Sequence, residues 1–223
     1  MTWRTLTDAL LASLFEPPCA ACGQVLPHPL DGAVCANCWA SMRARTPLTE
    51  HFTGRHAVNW AGAIDHYEGR LREVIHALKY DRRRSIAKPL GRLMRESGAA
   101  LLREAELVVP VPLHPHRLRD RGFNQADDLA RQLGVPVAPL LQRVRPTTSQ
   151  IELPADRRHQ NVRDAFALVP IPDPQPPMAA VIVLVDDVST TGATLEACAR
   201  VLKRAGVKEV RALTAARVVT GRR

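Results

Sequence analysis

The sequence predicts an α/β fold, a mainly parallel sheet flanked by helices, with a small cysteine-bearing unit ahead of it. Three observations carry that expectation. Short, continuously apolar runs such as Leu107–Val111 and Val181–Val185 alternate with stretches of helical periodicity, the pattern of a sheet covered on both faces. The run Val181–Val185 passes directly into two carboxylates and a hydroxyl-rich loop that opens a helix. Near the N-terminus, four of the five cysteines stand in two C-x-x-C pairs.

In chain order, Leu6, Leu10, Leu11, Leu14 and Phe15 predict an amphipathic helix over 5–15, ended by Pro17 and Pro18. Its polar face lacks a lysine or arginine cluster, which favours packing on the rest of the protein over membrane docking. Residues 17–40 read as a loop-rich metal-stapled unit, followed by a linker through about residue 56. A strand or hairpin is expected from Ala57 to Tyr67. Leu71, Val74, Ile75 and Leu78 then predict a helix over Arg70–Tyr80, and a second helix covers much of Ser85–Glu104 with Pro89 in its first turn. Beyond it the pattern alternates: strand Leu107–Val111, helix Asn124–Leu133, strand Val135–Leu141, strand Val181–Val185, helix Thr194–Ala205 and strand Glu209–Ala215. The proline-crowded stretch Val169–Pro177 is a surface loop. This divides the chain at residue 56 into an N-terminal unit, 1–56, and an α/β domain, 57–223.

Length and composition bound the function. The chain has 223 residues, 46% apolar and 24% charged, enough for one α/β core and an appendage. No apolar run approaches the roughly 20 residues of a membrane helix, and no leader pattern opens the chain. Stable membrane insertion is therefore not expected, and the cytoplasm is. The net charge of +9 raises the local concentration of polyanions without choosing among nucleic acids, nucleotides and phosphorylated metabolites.

The segment Val181–Thr194 carries the most chemistry. A buried strand is expected to end at Asp186 and Asp187, where open α/β sheets hold ligands. Ser189, Thr190, Thr191, Gly192, Ala193 and Thr194 then supply amides and hydroxyls at a helix N-terminus, a cradle for a phosphate monoester. Gly192 keeps the turn tight and lets phosphate approach the backbone. Two acids beside a bare phosphate would repel it, but they suit the vicinal hydroxyls of a sugar. The combination reads as a ribose 5-phosphate site. Plain helix capping, the alternative, needs neither two acids nor four hydroxyls.

A second anion site is expected after Leu107–Val111, where Leu113, His114, Arg117 and Arg121 fall in a loop that also holds His116 and Arg119. Pyrophosphate is the natural occupant beside a ribose phosphate; a solvated basic loop is the alternative. Arg143–Gln150 and Arg157, Arg158 and Arg163 are candidates for a closing flap, a nucleic-acid track or ordinary surface. Lys79 and Tyr80, at a helix end, read either as dipole compensation or as ligand contacts. Cys19, Cys22, Cys35 and Cys38 have the spacing of two metal knuckles, which favours tetrahedral zinc over a redox dithiol pair. Cys198 reads as a small buried residue.

The string VDDVSTTGAT resembles the phosphoribosyl pyrophosphate (PRPP) motif of type I phosphoribosyltransferases. The paired C-x-x-C, YEGRLREVIHALKY, VVPVPLHPHRLRDRGFNQA, the segment Thr148–Phe166 and that motif occur in the order seen in the ComF family, a resemblance running from Cys19 to about Val218. It implies a zinc ribbon fused to a type I phosphoribosyltransferase domain and an association with DNA uptake during natural transformation. By the same resemblance Asp186 and Asp187 are catalytic and hold the ribose hydroxyls, residues Ser189–Thr194 hold the 5-phosphate, and Mg²⁺ accompanies PRPP. Purine-salvage members that act on 6-oxopurines usually carry an aspartate where this chain has Thr190. Two functions follow as expectations. One is transfer of 5-phosphoribosyl to an unidentified acceptor. The other is a non-catalytic PRPP sensor or single-stranded-DNA-binding factor with protein partners in DNA uptake, for which Trp39, Phe52, Trp60, Tyr67 and Phe123 are the available stacking residues.

Overall fold

The computed structural model describes residues 17–81, 83–144, 164–170 and 179–219, together with Trp3, Leu6, Thr7 and Leu10. Most of the helix expected over 5–15, the basic segments 145–150 and 157–163, and most of the loop Val169–Pro177 lie outside these residues. The cysteine unit closes with helix α1 (Ala36–Arg43), after which β1 (Leu48–His51) pairs antiparallel with β2 (Trp60–His66). Helices α2 (Gly69–Tyr80), α3 (Ala87–Ser97) and α4 (Ala99–Leu102) lead to β3 (Leu107–Pro110), and α5 (Pro115–Arg121) and α6 (Gln125–Ala130) follow. A separate ribbon joins β4 (Leu141–Arg143) to β5 (Phe166–Leu168). The chain then runs through β6 (Val181–Ser189), α7 (Ala193–Arg204) and β7 (Glu209–Arg217). The main sheet has the order β1-β2-β7-β6-β3, and every pairing except β1 with β2 is parallel.

Strand alternation assigns the core to two layers. Val183 and Val185 of β6 and Leu213 and Ala215 of β7 face the layer of α2, α3 and α6, in which Leu71, Val74, Ile75 and Leu78 of α2 recur at helical spacing. Ile182 and Leu184 face α7 through Leu195, Cys198, Ala199 and Leu202. Each large apolar side chain buried this way contributes about 1.5–3 kcal/mol, so the two layers fix where the C-terminal edge of the sheet lies.

Four expectations are corrected by the structure. The linker expected through residue 56 contributes β1, so the sheet begins at Leu48. The single helix over Ser85–Glu104 breaks at Gly98, where a Cβ would stand 2.6 Å from the Leu213 side chain; only a glycine lets the chain pass that close. The strand Val135–Leu141 is reduced to one bridge, Val137 with Val108, and the ladder starts at Leu141 instead. Pro136 and Pro139 lack the N–H a ladder needs. Finally, β6 does not stop before the acids. It runs to Ser189, because β7 continues to pair with it as far as Arg217.

Candidate functional site

The extension of β6 puts Asp186 and Asp187 on a strand, where adjacent side chains point to opposite faces. Asp187 faces α2 and forms an ion pair with Lys79, Nζ to Oδ1 2.8 Å, both side chains being largely buried. Burial works against the Lys79 ammonium, yet the charge and hydrogen bond of Asp187, with Asp186 and Tyr67 beyond, hold its pKa above the ordinary lysine value. Asp186 faces the α7 side, among Arg143 and Cys198. Burial and the neighbouring Asp187 charge push its pKa up to about 7, against the pull of Lys79, the Asp187 amide and Arg143. The Asp187 N–H donates to Asp186 Oδ1 at 2.8 Å. The two acids therefore share a strand end but have different electrostatic settings.

The loop that follows is the sharpest turn of the site. Gly192 adopts φ +75°, the left-handed region, and starts α7. The Ala193 N–H donates to Thr191 Oγ1 at 3.4 Å, and the Glu196 N–H to the Gly192 carbonyl at 2.9 Å. The first turn of a twelve-residue helix thus opens at the edge of the sheet, where backbone donors and the helix dipole favour an anion.

Leu113 and His114 are half-buried in the loop between β3 and α5. His114 Nδ1 accepts from the His116 N–H at 3.2 Å. Burial, and then the neighbouring Arg143, His116, Arg117 and Arg119, lower the His114 pKa. Asn124 anchors this loop: its side chain caps α6 by accepting from the Ala126 N–H and donates to the Val111 carbonyl at 3.1 Å. Arg121 lies over the Tyr80 ring, 5.0 Å from its centroid, and donates to Gln125 Oε1 at 3.0 Å. An open pocket of about 380 Å³ brings Arg117 and Arg121 together with Lys79 and Tyr80. Lys79 thus pairs with Asp187 and lines the same pocket as Arg117 and Arg121 of α5, the segment expected to be a loop.

One functional candidate, Gln125, escapes a reading of the sequence alone, and two that the sequence named, Lys79 and Arg143, acquire their setting in the structure. Lys79 gains it through its contact with Asp187. Gln125 is 1% exposed and its Nε2 has no hydrogen-bond partner among the described residues, a donor beside the basic loop; the signal available was a polar residue at a buried helix start. Arg143 lies 5.4 Å from the centroid of Phe166, and burial lowers its pKa. Its charge acts on Asp186 from the end of β4, where the basic segment begins.

The four cysteines converge. Their Sγ atoms all lie within 4.8 Å of one another, with Cys19–Cys38 and Cys22–Cys35 each at 4.0 Å. Backbone amides of Ala21 and Cys35 donate to Cys19 Sγ at 3.4 and 3.3 Å. Despite burial, these donors and that of Cys22 bring the Cys19 thiol down to about 6, which suits a thiolate ligand. The set can hold a metal such as zinc. The unit packs on α2, and Arg83 Nη1 donates to the Pro18 carbonyl at 3.1 Å. No helix among the described residues is long and apolar enough to cross a membrane.

The chain is similar to known proteins through a family-model match and through curated relatives. A phosphoribosyl transferase domain model matches residues 118–223. Competence protein F of Haemophilus influenzae is 35% identical over 157 residues, covering 66% of this chain and 68% of its own. DNA utilization protein YhgH of Salmonella typhi is 35% identical over 158 residues, 66% of this chain and 67% of that one. Among solved structures, the allosteric regulatory enzyme of purine biosynthesis matches at 23% identity and a TM-score of 0.33, over 58% of this chain and 26% of that one. A hypoxanthine phosphoribosyltransferase from Staphylococcus aureus matches at 15% identity and a TM-score of 0.32, over 56% of this chain and 61% of its own. With a phosphoribosyltransferase-like α/β domain behind a four-cysteine unit, the chain belongs to the competence protein F, or ComF, family.

Proposed function

We propose that the chain binds PRPP and transfers its 5-phosphoribosyl group to an acceptor. In this reading the loop Ser189–Thr194 takes the 5-phosphate, Asp186 and Asp187 take the ribose hydroxyls, and Leu113, His114, Arg117 and Arg121 take the pyrophosphate. The carrying observation is the placement of Lys79, which pairs with Asp187 and lines one pocket with Arg117 and Arg121. Transfer breaks the bond from the anomeric carbon to the pyrophosphate oxygen, which leaves with the electron pair. The acceptor's lone pair forms the new bond, and its proton goes to solvent or to a carboxylate. Arginines and Lys79 act where negative charge grows on the leaving group. Mg²⁺ arriving with PRPP would neutralise the same charge. Cys19, Cys22, Cys35 and Cys38 would hold a structural Zn²⁺, which needs reduced thiols and so supports a cytoplasmic setting. The names of the relatives support a role in DNA uptake and use.

One observation favours a non-catalytic form of the same site, a sensor: Lys79 already engages Asp187, so that carboxylate is not free to act as a base. Calorimetric titration of PRPP with and without Mg²⁺, beside ribose 5-phosphate and pyrophosphate, tests binding. Magnesium-dependent PRPP binding is expected, and failure of all three ligands to bind would sink the reading. Pyrophosphate release with candidate acceptors separates enzyme from sensor. Added single-stranded DNA would show its phosphate contacts by losing affinity in high salt.

A further inference from the structure

Under the phosphate loop, on the face of the sheet that α7 covers, lies a cavity of about 250 Å³. Its floor is made by Ala61 and Ala63 of β2 and their Cα partners across the parallel ladder, Ala212 and Thr214 of β7. Strands of a parallel sheet buried under a helix ordinarily carry valine, isoleucine or leucine at such positions. Four small side chains in one patch leave a flat hollow instead, walled by Phe52 and Leu195. A hollow apolar below and polar at its rim has the form of small-molecule sites.

The mouth adds a charge. Arg55, Arg200 and Arg217 stand there. Arg200 pairs with Glu196 at 3.1 Å and Arg217 with Glu50. Glu196 is further engaged by the Ala57 and Val58 amides at 2.9 and 3.2 Å. Arg55 is exposed and has no polar partner among the described residues, which among these residues sets an unmatched cation above an apolar hollow. Ser189, Thr191 and Gly192 complete the wall, so an occupant touches the back of the phosphate loop.

We propose that this cavity binds a small organic anion, its flat apolar ring against the Ala61–Ala212 floor and its carboxylate or phosphate at Arg55. The inference does not depend on the loop being a PRPP site. The test is calorimetric titration of the full-length protein with 2-naphthoate and with the neutral 2-naphthamide, on the parent and on Ala61→Leu and Arg55→Glu. A single naphthoate site per chain is expected. Ala61→Leu fills the hollow and weakens both probes about tenfold or more, whereas Arg55→Glu weakens naphthoate about tenfold and leaves naphthamide within about twofold. No naphthoate binding, an unchanged affinity in Ala61→Leu, or an equal loss of both probes in Arg55→Glu would each overturn the proposal. Should Ala61→Leu fail to fold, Phe52→Ala, which removes a partly buried wall, carries the same expectation for both probes.

Discussion

Asp186 and Asp187 are neighbours in sequence and differ in almost everything else. Asp187 lies on the α2 side of β6 with an ammonium 2.8 Å away. Asp186 lies on the α7 side, where burial and the Asp187 charge outweigh the cations around it and raise its pKa to about 7. The strand's two-residue period separates them, and each face supplies its own electrostatics. Burial beside a like charge makes a carboxyl easier to protonate, and at this strand end that falls on Asp186, while Asp187 has the Lys79 ammonium beside it. For a site that must accept a polyanion, the arrangement limits the negative charge facing it near neutral pH.

The largest expected effect comes from breaking the paired side. Asp187→Asn leaves the Lys79 ammonium largely buried and without its carboxylate, which costs about 3–5 kcal/mol. Losing the proton instead sets a ceiling: discharging an ordinary lysine at pH 7 costs roughly 4.6 kcal/mol. Urea unfolding should show the loss, and Asp187→Leu combined with Lys79→Met should recover most of it. A single variant as stable as the parent would refute a stabilising ion pair. Testing PRPP binding by asparagine at both acids therefore requires a stability control, because the Asp187 change is not silent.

The unpaired side has a smaller effect of opposite sign. A raised pKa means that the folded state holds the Asp186 proton more tightly than the unfolded chain does. Its stabilising contribution is complete below about pH 4 and is lost as pH rises through about 7. Asp186→Asn abolishes that loss, so its stability relative to the parent should climb by on the order of 2 kcal/mol between pH 5 and pH 8. Thermal melts at both pH values measure it. A difference independent of pH would show that Asp186 titrates as an ordinary carboxyl.

The contrast also marks what a one-dimensional reading reaches. The hydroxyl-rich loop and the cysteine pairs are local patterns, in which the chemistry and its spacing are contiguous. The continuous apolar run of β6 and the helical spacing of α2 are equally legible, because burial on two faces and on one face leave different patterns. Lys79 is different: its role comes from a helix end meeting a strand end far along the chain, and no local spacing encodes that. Strand β1, Leu-Thr-Glu-His, is short, mostly exposed and lacks apolar alternation, so only its pairing with β2 reveals it. The extension of β6 past the acids was hidden for a related reason. Polar residues look like the end of a strand, but the neighbouring β7 supplies hydrogen bonds as far as Ser189.

The smallest expected effect sharpens the comparison between the acids and the loop beside them. The sequence suggests two reasons for glycine at 192, a backbone conformation and a clear approach for phosphate. In the structure a Cβ at Gly192 would meet nothing within 4 Å, while φ is +75°. Steric crowding therefore contributes nothing in the free protein, and the left-handed conformation alone should make Gly192→Ala cost about 1 kcal/mol. Ligand affinity separates the two reasons. If the added methyl obstructs an approaching phosphate, ribose 5-phosphate binding should fall well beyond the roughly fivefold that 1 kcal/mol represents. If it falls by that factor or less, the glycine serves the turn, and the anion is held by donors that the methyl does not cover.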